Sequence, residues 1–294
     1  MKSENKRLFK NIIEVLMKDK LAVAGLVIVL VFLILGAFAS QIAPHDPIEV
    51  VLSRKLQLPS LEFPMGTDNM GRCIFSRILY GTRVSLYNAL VVLAAILAVG
   101  IPLGITAGYV GGWVDNLIMR LSDIASTFPS SLLALAIVGI AGPSMKNIMI
   151  VFIFLWWAPF ARIIRGTVIK IKEKDFVTAA VSCGSSRFKI IINHIFLNSV
   201  SPIIVLSTLR VAAIIMHLAA FSFIGLGTQP PQADWGVMLN DGRQFITTNP
   251  ILMLWPGLAI MFSVFGLNML GEGFNSALLP ISGEGNSQKG VKYE

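Results

Sequence analysis

An all-α polytopic membrane protein of about six spans is the fold class that the sequence predicts, and three observations predict it. Of 294 residues, 55% are hydrophobic and only 14% are charged, with a mean hydropathy of +0.75. Soluble domains carry about 25% charged residues, so this chain holds more apolar side chain than one soluble core of its length could bury. Charge-free runs long enough for the roughly 20 helical residues of a bilayer crossing recur along it. Lysine and arginine, finally, gather on alternate connections between those runs. The net charge of +8 is therefore an orientation signal, and nucleic acid is not an expected partner. Cys73 and Cys183 fall on opposite sides of the membrane in this topology, which excludes a disulfide between them and a cysteine metal cluster.

The first charge-free run, Leu21 to Phe38, follows Lys18 and Lys20. Ala37-Phe38-Ala39 resembles a signal-peptide cleavage site, but the apolar run and the leader before it are both longer than such a signal needs, so a retained first span is expected over 21–41. Val84 to Val114, Ile124 to Met145, and Asn147 to Ala161 extended past Arg162 and Arg165 give spans two to four. Leu206 to Phe221 contains no Gly, Pro or Asn, so one span from Ser199 to Ile224 fits better than two. Ile190 to Asn198 then becomes a short amphipathic approach, and Gln244 to Gly271 is span six. With the N-terminus inside, cytoplasmic segments hold sixteen Lys and Arg against seven outside, which predicts an N-in, C-in arrangement.

The parts follow from the spans: a cytoplasmic segment 1–20, the first helix, an external loop 42–83, a five-helix core 84–278 with a cytoplasmic loop about 166–196, and a cytoplasmic tail 279–294. In the first segment Phe9, Ile12, Ile13 and Leu16 share one helical face, as in an interfacial helix, although a plain extension fits as well. The tail is polar and glycine-containing, as disordered segments are. Gly104, Gly108 and Gly112 recur every four residues, a spacing that allows close helix packing or a hinge.

Chemistry should show where polar residues interrupt the apolar pattern. No G-x-x-x-x-G-K-[ST] occurs to cradle nucleotide phosphates, so the chain has no visible ATPase motor. His45, His194 and His217 are far apart, no H-E-x-x-H is present, and no metal site is expected. Met216, Met253, Met261 and Met269 read as packing residues. The stretch from Arg162 to Asn198 is basic and then amphipathic around Phe176, Val177, Ala180, Phe188 and Ile191. Either it is a solvated charged face, or it is a docking helix whose Ala179, Ala180 and Gly184 let a soluble partner approach closely.

Asp175 to Pro202 resembles the E-A-A…G loop of binding-protein-dependent ABC import permeases of the dipeptide, oligopeptide and nickel class. Further blocks agree in order: Gly66-Thr67-Asp68 to Gly71-Arg72, Ser76-Arg77, Tyr80-Gly81, Arg83 to Leu86, Trp113 to Asp115, Met119-Arg120, Asp123, Phe128-Pro129 and Gly142 to Ser144. Ala161-Arg162, Arg165-Gly166, Ser222 to Gly227, Pro230-Pro231, Trp235-Gly236 and Pro256 to Leu258 follow. The layout is most similar to the second of the two permease subunits. Thr178 stands where the family usually has Glu, Leu197 where it has Pro, and Leu279 where an acid is common.

The resemblance implies an ABC importer permease fold in a bacterial-type cell membrane and a heterodimer with a homologous permease. It also implies two cytoplasmic ATPase subunits and an external lipid-anchored or periplasmic solute-binding protein. Phe176, Thr178, Ala179, Ala180, Gly184 and Arg187 would couple the permease to the ATPases, which use ATP and Mg; this chain would bind no cofactor itself. Small peptides or nickel- and cobalt-type chelates are the implied cargo. The rival from another class is an ion-coupled secondary transporter, which would favour internal repeats and acids near the midplane; no repeat is visible, and Asp123 and Glu272 lie near cytoplasmic ends.

Two further features bear on function. Arg210 lies mid-span, where a lipid-facing charge is costly, and His217 follows two helical turns later on nearly the same face. Against the family pattern Arg210 replaces a small residue, and His217 lies beside a position that is often Glu. The pair either satisfies carbonyls or an acid of the partner subunit, or lines the substrate path and meets a carboxylate-bearing cargo. Trp235 with Pro230 and Pro231 lies before span six, as an interfacial anchor, an outer gate or a contact for the binding protein.

Overall fold

In the computed structural model, which describes residues 14–278, the spanning helices run in the order the hydropathy implies. α1 (Lys20–Ala37) is capped by the Asp19 carboxylate, which accepts from the amides of Leu21 and Ala22. Then come α2 (Ile74–Val110), α3 (Gly112–Thr127), α4 (Ser130–Ala141), α5 (Met145–Lys172), the short α6 (Asp175–Ser182), α7 (Leu197–Phe223), α8 (Trp235–Gly242) and α9 (Ile251–Leu278). Phe9, Ile12 and Ile13 of the expected interfacial helix, together with the tail 279–294 and Leu279, lie outside the described residues. Leu16 is described: it is buried in a small cluster with Ala22 and Leu270.

Among the described residues five helices are long and apolar enough to cross a membrane, and α3 with α4, bent by 75° at their junction, meets the same test only as a pair. The bend falls at Phe128-Pro129, where proline has no amide hydrogen for the helical ladder. A bent helix pair therefore stands where the absence of charge predicts the straight run 124–145. α2 also differs, beginning at Ile74, ten residues inside the expected external loop. Arg83, which bounds the charge-free run, is exposed on α2, and Arg77 nearer the helix start has its charge neutralised in the fold, as described below. At the other side, Arg187–Ile190 and a π-helical turn, Ile191–Phe196, lead without a break into α7, so the approach segment is one continuous helix with span five.

The main core lies between α2, α5 and α7, where Ile96, Phe152, Ala158, Ile164 and Ile214 are all buried. Glycine makes the α2–α5 contact possible. A Cβ on Gly104 would lie 2.7 Å from the Ala161 carbonyl oxygen, and one on Gly108 2.8 Å from that of Arg165. Gly112 is different: its φ is +59°, nothing lies near it, and it serves the turn into α3. α1 packs on α9 in the same manner, with Gly25 against the backbone of Gly266 and Leu270. Gly104→Leu should thus cost at least the roughly 1–3 kcal/mol of an overpacked site, because backbone cannot yield as a side-chain tip can. A lowered thermal midpoint of the solubilised chain checks this, and an unchanged midpoint would show that the helices separate freely.

Candidate functional site

The end of the bundle assigned to the cytoplasm carries a projecting hairpin. α5 ends at Lys172, and α6 starts at Asp175, whose carboxylate suits the positive end of a helix. Val177 is the one buried residue of α6; burying such a side chain contributes about 1.5–3 kcal/mol and holds the helix to the body. Phe176, Thr178, Ala179 and Val181 are exposed, while Ala180 is half-buried. The helix closes in a Schellman turn: the Gly184 amide donates to the Val181 carbonyl and the Ser185 amide to that of Ala180. Gly184 has φ +74°, a conformation that glycine adopts without strain. Beyond it, the Ser186 hydroxyl caps Arg187–Ile190 by accepting from the Lys189 amide. Five of the expected coupling residues are exposed on this hairpin, and an exposed Phe188 adds a large apolar side chain beside them.

The hairpin hangs from a braced helix. Arg165 of α5 makes a bidentate ion pair with Asp115 of α3, and Arg162 donates to Asp123 at 3.0 Å and to Ser126 at 3.1 Å. Lys172 donates to the Tyr109 carbonyl at the end of α2. The helix that carries α6 is thereby tied to both α2 and α3. The pairing partners Asp115 and Asp123 occur in the sequence blocks above, but nothing in their spacing shows which arginine each one meets.

Within the membrane, α7 presents Arg210 and His217 to one wall of α5. Trp156 touches both: the Arg210 guanidinium carbon lies 5.7 Å from its ring centroid, and the His217 ring meets it edge-on at 5.0 Å. Phe160 lies 5.9 Å from the same guanidinium, and Phe152 stacks on Trp156 at 4.3 Å. Sequence reasoning found the two basic groups and missed the aromatics, because Trp and Phe within a span look like packing residues.

Towards the outside, the expectation for Trp235 needs correction. It is fully buried, donates to the Ile78 carbonyl at 3.3 Å and meets Phe32 edge-on, so it offers no surface to a binding protein or to the lipid interface. Gly81 leaves room for it, since a Cβ there would lie 2.9 Å from the indole. Asp234 caps α8 by accepting from the amides of Gly236 and Val237. Burial pushes its carboxyl above the ordinary range, and those two amides with the Ser222 and Thr228 hydroxyls oppose the shift. Pro230 and Pro231 remain exposed.

Beneath this region lies an ionic cluster that the sequence did not reveal. Arg72 donates to Asp68 at 2.6 Å and to Asp241 at 2.8 Å; Arg77 lies 3.5 Å from both carboxylates and donates to the Pro47 carbonyl. Arg72 is 2% exposed and Arg77 1%, and the two cations balance the two acids. The cluster ties the external loop and the start of α2 to the end of α8. Asp68 and Arg72 stand at i and i+4, but no local signal points to Asp241.

The described residues thus form an all-helical bundle of the multi-pass membrane class, with a braced hairpin at one end. A family profile described as the binding-protein-dependent transport system inner membrane component matches residues 100–280, and one for the N-terminal transmembrane domain of oligopeptide transport permease C matches residues 7–59. The chain belongs to the binding-protein-dependent transport system inner membrane component family, as an ABC importer permease of the bacterial cell membrane. It is 43% identical over 265 residues to the dipeptide transport system permease protein DppC of Alkalihalophilus pseudofirmus, covering 90% of this chain and 87% of that one. To the nickel transport system permease protein NikC of Escherichia coli K12 it is 37% identical over 254 residues, covering 86% and 92%. To the glutathione transport system permease protein GsiD of Escherichia coli O6:K15:H31 it is 37% identical over 264 residues, covering 90% and 87%. Family membership sets aside the ion-coupled secondary transporter.

Proposed function

We propose that this chain is one half of a permease heterodimer that passes small peptides or nickel- and cobalt-type metal chelates from an external lipid-anchored or periplasmic solute-binding protein to the cytoplasm. Two cytoplasmic ATPase subunits, which bind the ATP and Mg, drive it. The observation that carries this reading is the α6 hairpin, whose exposed small and apolar residues stand at the end of a helix tied to two others by Arg165, Arg162 and Lys172. A partner gripping Phe176, Thr178, Ala179, Ala180, Gly184 and Arg187 would move α5 and its neighbours together. The permease contributes a protein-lined polar route in place of the several-kcal/mol penalty for polar groups in hydrocarbon. Arg210 and His217 line that route, and Pro230 and Pro231 contact the binding protein at the outer mouth. The names of the relatives support the cargo classes, since they are permeases for dipeptide, nickel and glutathione.

Competitive uptake in cells with and without the gene tests this. Loss of the gene should abolish uptake of labelled dipeptide, labelled oligopeptide, or nickel supplied with a carboxylate-rich chelator. Unchanged uptake of all three would refute these cargo classes.

A further inference from the structure

The guanidinium of Arg210 makes no hydrogen bond and no ion pair among the described residues, although the side chain is half-buried within a span. Five N–H donors without a protein acceptor are an expensive arrangement where water is scarce. What they have instead is two aromatic faces, Trp156 and Phe160, whose attraction for a cation is about 0.5–2 kcal/mol and well below that of a carboxylate. The Nδ1 of His217 lies 2.8 Å from the Ala213 carbonyl oxygen, which can only accept, so Nδ1 carries the proton and Nε2 is left for another group. Trp156 is thus shared by both basic side chains and is held flat by its stack on Phe152.

We infer that Arg210, Trp156, Phe160 and His217 form a carboxylate-recognition site, in which Trp156 positions Arg210 until a carboxylate of the cargo draws the guanidinium into a bidentate pair. The inference rests on the transport reading above and narrows its cargo to solutes with a free carboxylate. A neutral solute offers carbonyl acceptors but no countercharge, so it draws Arg210 from the rings far less strongly than a carboxylate does. His217 follows Arg210 by about two helical turns, and its Nε2 can take an N–H donor elsewhere on the same solute.

The complete transporter in nanodiscs, with loaded binding protein, is treated with p-hydroxyphenylglyoxal, and the Arg210 adduct is followed by peptide mass spectrometry. Arg210 should react in the resting complex. A dipeptide with a free C-terminal carboxylate should protect it by about tenfold or more, as expected for a charge-assisted pair, while the same dipeptide as its C-terminal amide should not. Trp156→Leu should raise the unprotected rate and abolish acid-over-amide discrimination, and Trp156→Phe, which keeps a ring face, should restore most of it. Subunit co-purification shows that each variant is assembled. An unreactive Arg210 would mean that an acid of another subunit already holds it, and equal protection by acid and amide would mean that no carboxylate is read; either result overturns the inference. Uptake of neither dipeptide nor nickel chelate by the unmodified transporter would instead refute the transport reading, whatever the labelling shows.

Discussion

Ala179→Arg should reduce uptake by about 30-fold or more, the effect of losing roughly 2 kcal/mol at the centre of an interface, and should lower the amount of ATPase subunit that co-purifies. The residue is exposed on α6, and the body is held by Val177 on the opposite side, so a long charged side chain changes the docking ridge and leaves the bundle intact. Thr178→Glu restores the residue usual in the family and should cost nothing, because Thr178 is also exposed and docking depends on the shape of the ridge. Normal ATPase retention by Ala179→Arg would show that the partner grips another surface. A β-branched residue at position 184 should fail by a related route, since at φ +74° the Schellman turn that ends α6 is strained for any L side chain.

Arg72→Met should be the most destabilising single change on the external side. It leaves Asp68 and Asp241 with only Arg77, whose contacts to both are 3.5 Å, and uncompensated buried charge costs about 3–5 kcal/mol. The thermal midpoint of the solubilised protein should fall by about 10 °C or more. Arg72→Met combined with Asp241→Leu should recover most of the loss, because Asp68 and Arg77 then form a balanced pair and the removed pair is replaced by apolar volume. A double variant no better than the single one would show that the cluster acts through packing and not through charge.

The membrane class, the family and the approximate placement of the apolar spans were legible because each rests on a local property: a run without charge or a block of residues in order. The misplaced features are those where a distant contact changes the local reading. The charge-free run starts after Arg83, yet α2 begins at Ile74 and takes in Arg77, which Asp68 and Asp241 neutralise, the latter 164 residues away. Trp235 looked like a surface anchor, but Gly81 of α2 opens a slot that encloses it. The break at Phe128-Pro129 was within reach, since proline marks it, but hydropathy alone runs straight through. Arg210 and His217 were found by their cost in lipid, whereas the role of Trp156 depends on which helix faces α7.

Reconstitution of the chain with its partner permease, the two ATPase subunits and loaded binding protein in proteoliposomes tests the central claim most directly. Labelled dipeptide or nickel chelate should accumulate only when ATP is supplied to the ATPase side, and imposed proton or sodium gradients should have no effect. Accumulation driven by an ion gradient without ATP would contradict the account.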